Sequence, residues 1–208
     1  MNNKIIFEYL DEIIPNPKGE LNYNKDYELL IAVMLSAQTT DKRVNQVTEI
    51  LFDKYPDLVS LSKADVEDIK SIIRSLGTYF KKASNVIGIS RRLLDEANGT
   101  VPNDRSFLES LPGVGRKTAN VVLAVLYNEN CIAVDTHVAR VSKRLGFASK
   151  NDDVLTIEKK LYKILPKDNM IKYHHQLLLF GRYYCKAINP NCNECKLKDI
   201  CKEKKKSN

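Results

Sequence analysis

The chain has no long apolar run. Its longest, Leu29 to Leu35, falls far short of the ~20 residues a membrane-spanning helix needs. A targeting pattern is missing as well. Met1-Asn2-Asn3-Lys4-Ile5-Ile6-Phe7-Glu8 interrupts its apolar residues with an acid and reads as an amphipathic helix, not a signal peptide. No membrane association and a cytoplasmic, reducing location are therefore expected. Strand alternation and internal repeats are absent too, which argues against sheet and solenoid folds. Glycine is scarce, with eight in 208 residues, and cysteine scarcer, with five. In a reducing compartment such cysteines are metal ligands or free thiols rather than disulfides.

What remains is a helical, basic chain. Apolar residues make up 43% and charged residues 28%, and mean hydropathy is −0.33. That is enough to build one large or two small soluble domains. Lys and Arg number 33 against 26 acids, a net charge of +7. The excess suits a polyanionic partner, nucleic acid first. Apolar spacings of three and four predict helices near 26–37, 42–55, 62–74, 79–97, 104–110, 115–128, 136–146, 153–165 and 169–185. Pro15-Asn16-Pro17-Lys18-Gly19, Asn98-Gly99-Thr100-Val101-Pro102 and Pro112-Gly113 punctuate them. Cys131-Ile132-Ala133-Val134 is expected to be a buried connection, and the basic tail Lys202-Glu203-Lys204-Lys205-Lys206 a solvated end. The fold class is all-α.

Two of the eight glycines share one turn, in Leu111-Pro112-Gly113-Val114-Gly115-Arg116-Lys117-Thr118-Ala119-Asn120. Pro112 ends one helix. Gly113 and Gly115 are expected to permit positive φ and close approach by another molecule. The next helix then starts with free N–H groups that favour a phosphate oxygen. Such a helix–hairpin–helix grips a backbone without reading bases. Lys117 follows at the edge of a stripe formed by Val121 and Ala124. Partial burial, the helix start and Arg116 would lower its pKa and free the amine for attack. From the local sequence alone, a plain phosphate contact is the preferred reading of this lysine.

Asp135 lies eighteen residues on, in Ala133-Val134-Asp135-Thr136-His137. It reads as an N-cap, and a capping carboxylate is also rigid and ionised, able to stabilise a cationic sugar or accept a proton. His137 is either a polar residue at a helix start or part of the site. Cys185, Cys192, Cys195 and Cys201 form C-x6-C-x2-C-x5-C. Four such thiolates suit tetrahedral zinc or a 4Fe–4S cluster.

Taken together, the hairpin lysine, the later aspartate and the four cysteines resemble the endonuclease III family, bifunctional DNA glycosylase/AP lyases of the helix–hairpin–helix superfamily. The resemblance runs from about residue 20 to Cys201. It includes Leu29 to Asp41 and His174-His175 before Gly181-Arg182. It implies a six-helix barrel over residues 19–129, a cluster domain built from 1–18 and 130–208, and DNA bound between them. It further implies a 4Fe–4S cluster on the four cysteines, Lys117 as Schiff-base nucleophile and Asp135 as the catalytic carboxylate. The implied partner is double-stranded DNA carrying damaged pyrimidines or abasic sites, bound by a monomer.

The resemblance makes Gln38 the residue that enters the helix where the damaged nucleotide leaves. Leu76, Thr78, Gly113, Gly115, Arg116, His137 and Lys186 complete the implied DNA-binding set. Thr78 departs from the larger apolar residue often found at its position. The loop Lys186-Ala187-Ile188-Asn189-Pro190-Asn191 has one basic residue where relatives often have several, so Lys196, Lys198 or the tail would compensate. A glycosylase for another lesion, such as an adenine mispair, is the alternative within the superfamily. Adenine-specific relatives usually lack lysine at the hairpin position. A non-catalytic DNA-binding module is the alternative outside it, and Lys117 together with Asp135 argues against that.

Overall fold

The computed structural model describes residues 2–203. The expected solvated tail at Lys204-Lys205-Lys206 lies outside them. Among the described residues there is no strand. The α-helices are α1 (Asn2–Ile13), α2 (Asp26–Leu35), α3 (Asp41–Lys54), α4 (Leu58–Ser62), α5 (Val66–Ile72), α6 (Tyr79–Glu96), α7 (Arg105–Ser110), α8 (Arg116–Tyr127), α9 (Thr136–Leu145), α10 (Val154–Ile164) and α11 (Met170–Leu179). No helix among the described residues is long and apolar enough to cross a membrane.

The chain divides into two compact units, Glu20–Tyr127 and Met1–Gly19 with Asn128–Asn208. In the continuous unit α2 is the central helix, with every residue from Tyr27 to Leu35 buried. Glu28 is the one carboxylate in that buried stretch. It accepts backbone N–H bonds from Asn24 (2.7 Å) and Lys25 (3.2 Å), which offset the cost of burying it. Of the helix expected over 62–74 only α5 forms, starting at Val66; α4 precedes it and was not expected. Asp57 caps Ser60 N–H at 2.7 Å and Asp65 caps Glu67 N–H at 2.8 Å. Each aspartate satisfies a helix start, so α5 begins after Asp65 and not at 62.

In the discontinuous unit α1, α9, α10 and α11 enclose a second core. It includes Ile6, Leu10, Val138, Val141, Leu161, Leu177, Phe180 and Leu197. Cys131, Ile132, Ala133 and Val134 are all buried there without forming a strand, as expected. The helix expected over 169–185 changes character midway. After α11 the backbone widens into a π-turn at Phe180–Tyr184, closed by Cys185 N–H on the Phe180 carbonyl at 2.7 Å.

Candidate active site and cysteine centre

The hairpin between α7 and α8 is pinned to α6. Asp104 caps α7 through Ser106 and Phe107 N–H groups, at 2.8 and 3.1 Å. Pro112 lies so close to α6 that a Cβ added at Gly88 would sit 2.9 Å from its Cγ. Gly113 has φ +76°, and a Cβ there would press on the Asn85 amide and on Met34. Gly115 differs from expectation: its φ is not positive. A Cβ there meets nothing within 4 Å, so the space around it is open to another molecule. Gly113 shapes the turn, whereas Gly115 keeps its outer surface bare.

Lys117 and Arg116 stand exposed on the first turn of α8. The expected partial burial of Lys117 is not observed. Ala119, Asn120, Val122, Leu123 and Ala124 are the buried residues of α8; Lys117 shares a stripe with Ala124 but stands two turns earlier, at the exposed start of the helix. Its amine is accessible.

Gln38 and Thr78 are both exposed and both left-handed, with φ +58° and +57°. Positive φ is uncommon outside glycine, and for a β-branched residue such as Thr78 it is an outlier. Leu76, expected among the DNA contacts, is 2% exposed. It belongs to the core and offers a ligand almost no surface. Exposed Phe80 stacks on Tyr79, their ring centroids 4.0 Å apart, just after Thr78.

Asp135 is the N-cap of α9, accepting from His137 N–H (2.9 Å) and Val138 N–H (2.8 Å) through one oxygen, Oδ1. The carboxylate is thereby fixed in direction while Oδ2 takes neither bond. His137 is half-buried. Its Nδ1 lies 3.2 Å from Arg140 Nη2, and its backbone packs so tightly on Gly181 that a Cβ there would be 3.1 Å from the His137 carbonyl. The packing on Gly181 ties the start of α9 to the π-turn.

From α9, two arginines reach the first cysteine. Arg140 Nε donates to the Cys185 carbonyl at 3.1 Å and Nη2 to Gly181 O at 2.7 Å. Buried Arg144 donates to Cys185 Sγ at 3.4 Å and to Lys186 O at 2.7 Å. Its own carbonyl accepts from Lys202 N–H at 2.7 Å, so both ends of the cysteine segment meet at α9. All four cysteines are half-buried and unpaired with one another.

Burial pushes the Cys195 thiol up, and the negative charges of Cys185, Cys192 and Cys201 add to it. Burial likewise raises Cys201, with Cys185 and Cys192 contributing. The four sulfurs are thus close enough to repel one another when ionised. Yet no three His, Cys, Asp or Glu side chains converge on a single ion position among the described residues. Lys186 is exposed. Lys196, one candidate to supplement it, is committed to Glu12, at 2.5 and 2.7 Å.

The chain matches the HhH-GPD superfamily of base excision DNA repair proteins over residues 31–167. It is 46% identical to endonuclease III of Bacillus subtilis (strain 168), covering 99% of this chain and 95% of the relative. It is 45% identical to endonuclease III of Escherichia coli (strain K12), covering 97% and 95%. The chain belongs to the endonuclease III family. Among solved structures, a trapped endonuclease III–DNA covalent intermediate superposes with a TM-score of 0.92 at 46% identity, covering 97% of this chain and 96% of that one.

Within this family member, three structural residues escaped the reading of the sequence. Gly88 and Asn85 seat the hairpin, and only packing reveals them. Lys82 is 3% exposed; a lysine four residues before buried Val86, on the apolar face of α6, is the pattern that betrays it.

Proposed function

We propose that the protein is a base-excision-repair DNA glycosylase that removes oxidised pyrimidines from duplex DNA and then cleaves the strand as an AP lyase. The observation that carries this is the exposed Lys117 amine beside the open backbone of Gly115. The helix start there favours a phosphate, which would bring the sugar of a bound strand to the amine. That a relative 46% identical was trapped covalently on DNA supports the same chemistry here.

The target nucleotide leaves the stack, since its glycosidic bond is shielded there. Oxidised pyrimidines that have lost planarity stack poorly and cost less to extrude. Gln38 and Thr78 occupy the space left behind. The Lys117 amine attacks C1′ and the base departs with the bonding electron pair. Asp135 takes the proton the amine loses and stabilises positive charge on the sugar. The C1′–O4′ bond then breaks, O4′ taking back the proton held by Asp135, and the imine so formed acidifies the C2′ proton. Its removal expels the 3′ phosphate by β-elimination, and water releases the enzyme. Arg116, Gly113, Gly115, His137 and Lys186 serve the DNA backbone.

Cys185, Cys192, Cys195 and Cys201 are assigned to a 4Fe–4S cluster. Four cysteines brought to one segment suit a positively charged centre, and membership of the endonuclease III family favours a cluster over zinc. When bound, the cluster cross-links the C-terminal segment through iron–thiolate bonds. A role on DNA supports a cytoplasmic location.

Borohydride trapping on duplexes carrying thymine glycol or an abasic site tests the nucleophile. Wild type should trap and Lys117→Ala should not; equal trapping by the two refutes it. Iron and sulfide content, with a visible absorption band lost in Cys192→Ser, tests the cluster; stoichiometric zinc without sulfide refutes it.

A further inference from the structure

Lys82 is a buried cation without a carboxylate partner among the described residues. It is 3% exposed, and burial holds its amine below the ordinary lysine range. Its Nζ donates to the Ala37 carbonyl at 2.7 Å. Its backbone N–H bonds the Thr78 carbonyl at 3.2 Å. One residue therefore reaches both exposed left-handed positions: it holds the peptide preceding Gln38 with its side chain and Thr78 with its main chain. Gln38 and Thr78 lie forty residues apart in sequence, and Lys82 is the polar link between their turns.

Stability alone is a poor reason to keep this ammonium. Burying a charge is costly, and an apolar side chain of similar volume often serves a core at least as well. A donor aimed at Ala37 does something an apolar group cannot. It fixes the carbonyl at the entrance to a conformation that a non-glycine residue avoids, and so fixes the direction of the Gln38 side chain.

We propose that Lys82 is a positioning residue for damaged-duplex recognition, locking the Ser36–Thr39 turn against the start of α6 so that Gln38 is presented to DNA in its left-handed conformation. The inference rests on the assignment of Gln38 to the gap left by the extruded nucleotide.

A double-mutant cycle tests it. Wild type, Lys82→Met, Gln38→Ala and the double variant are compared in single-turnover cleavage of a thymine glycol duplex, each checked for a folded melting transition. Each single variant is expected to raise the half-saturating DNA concentration by about tenfold, as loss of a charged hydrogen bond does. The rate at saturation should change little, because Lys117 is untouched. The double variant should be no worse than Gln38→Ala, since neighbours that act through one another are not additive. Lys82→Gln, which keeps an N–H donor, should recover part of the loss, and it carries the same comparison if Lys82→Met does not fold. Additive losses, or a wild-type Lys82→Met beside an impaired Gln38→Ala, overturn the role of Lys82 alone. A Gln38→Ala indistinguishable from wild type overturns the assignment of Gln38 and the inference with it.

Discussion

Gly113→Ala and Gly115→Ala separate the two demands made on the hairpin. At Gly113 the backbone has φ +76°, which costs a non-glycine residue about 1–2 kcal/mol. The new Cβ would also lie 3.0 Å from Asn85 Cγ and 3.3 Å from Met34 Cγ. Asn85 is half-buried and its amide can swing aside. Met34, 3% exposed, must yield a few tenths of an ångström, adding roughly 1 kcal/mol of overpacking. The expected loss is about 2–3 kcal/mol, or roughly 4–12 °C in Tm for a chain of this size.

The backbone contributes more than the clash, so Asn85→Ala should not rescue Gly113→Ala. Gly115→Ala has neither penalty and should melt with wild type or slightly above it. It should nonetheless weaken duplex binding, because the added methyl fills the open approach to the α8 N-terminus. Thermal denaturation and fluorescence-anisotropy titration of a duplex read the two effects. A wild-type Tm for Gly113→Ala, its rescue by Asn85→Ala, or undiminished DNA affinity for Gly115→Ala would each refute the corresponding step.

Lys186→Ala should reduce the slope of log binding constant against log salt by about one. Arg144 holds the Lys186 carbonyl, so the side chain is carried on an anchored backbone; an unchanged slope denies it a phosphate contact. Asp11 predicts a pH signature. Burial pushes its carboxyl up, but bonds from Lys172, Gln176 and Tyr173 outweigh this and hold it below its usual 3.8. The Lys172 pair, 2.6 Å apart, is more than a third exposed on both sides, which limits the gain to about 1 kcal/mol or less. A depressed folded pKa stabilises above the unfolded value and ceases to as pH falls through the folded one. Asp11→Asn should therefore melt below wild type at neutral pH, with the gap closing in acid below pH 3.8. A gap undiminished near pH 2, roughly below both values, contradicts the linkage.

Much of the site was legible because its chemistry is local. The Asp135 cap needs only the helix that follows it, and the glycine turn needs only its own φ. The cysteine spacing already implied one centre, although zinc and cluster stayed open until the resemblance was weighed. Errors arose where neighbours distant in sequence decide. Lys117 was expected to be half-buried because Val121 and Ala124 share its stripe; Ala124 is indeed buried, but Lys117, two turns earlier at the start of α8, is exposed. Leu76 was placed among the DNA contacts by the resemblance, yet burial puts it in the core. The helix expected at 62–74 starts late, at Val66, because Asp65 caps it there.

The sequence by itself determined the helical class, the hairpin with its lysine, the capping aspartate and the four thiolates, since each depends on residues a turn or a loop apart. Only the tertiary structure decided which glycine shapes the hairpin and which leaves it bare, because that depends on Asn85 and Met34 arriving from other helices. It also revealed Lys82, whose partners at Ala37 and Thr78 belong to separate turns. A buried ammonium is acceptable only where folding brings a carbonyl to it, and no reading along the chain supplies that carbonyl.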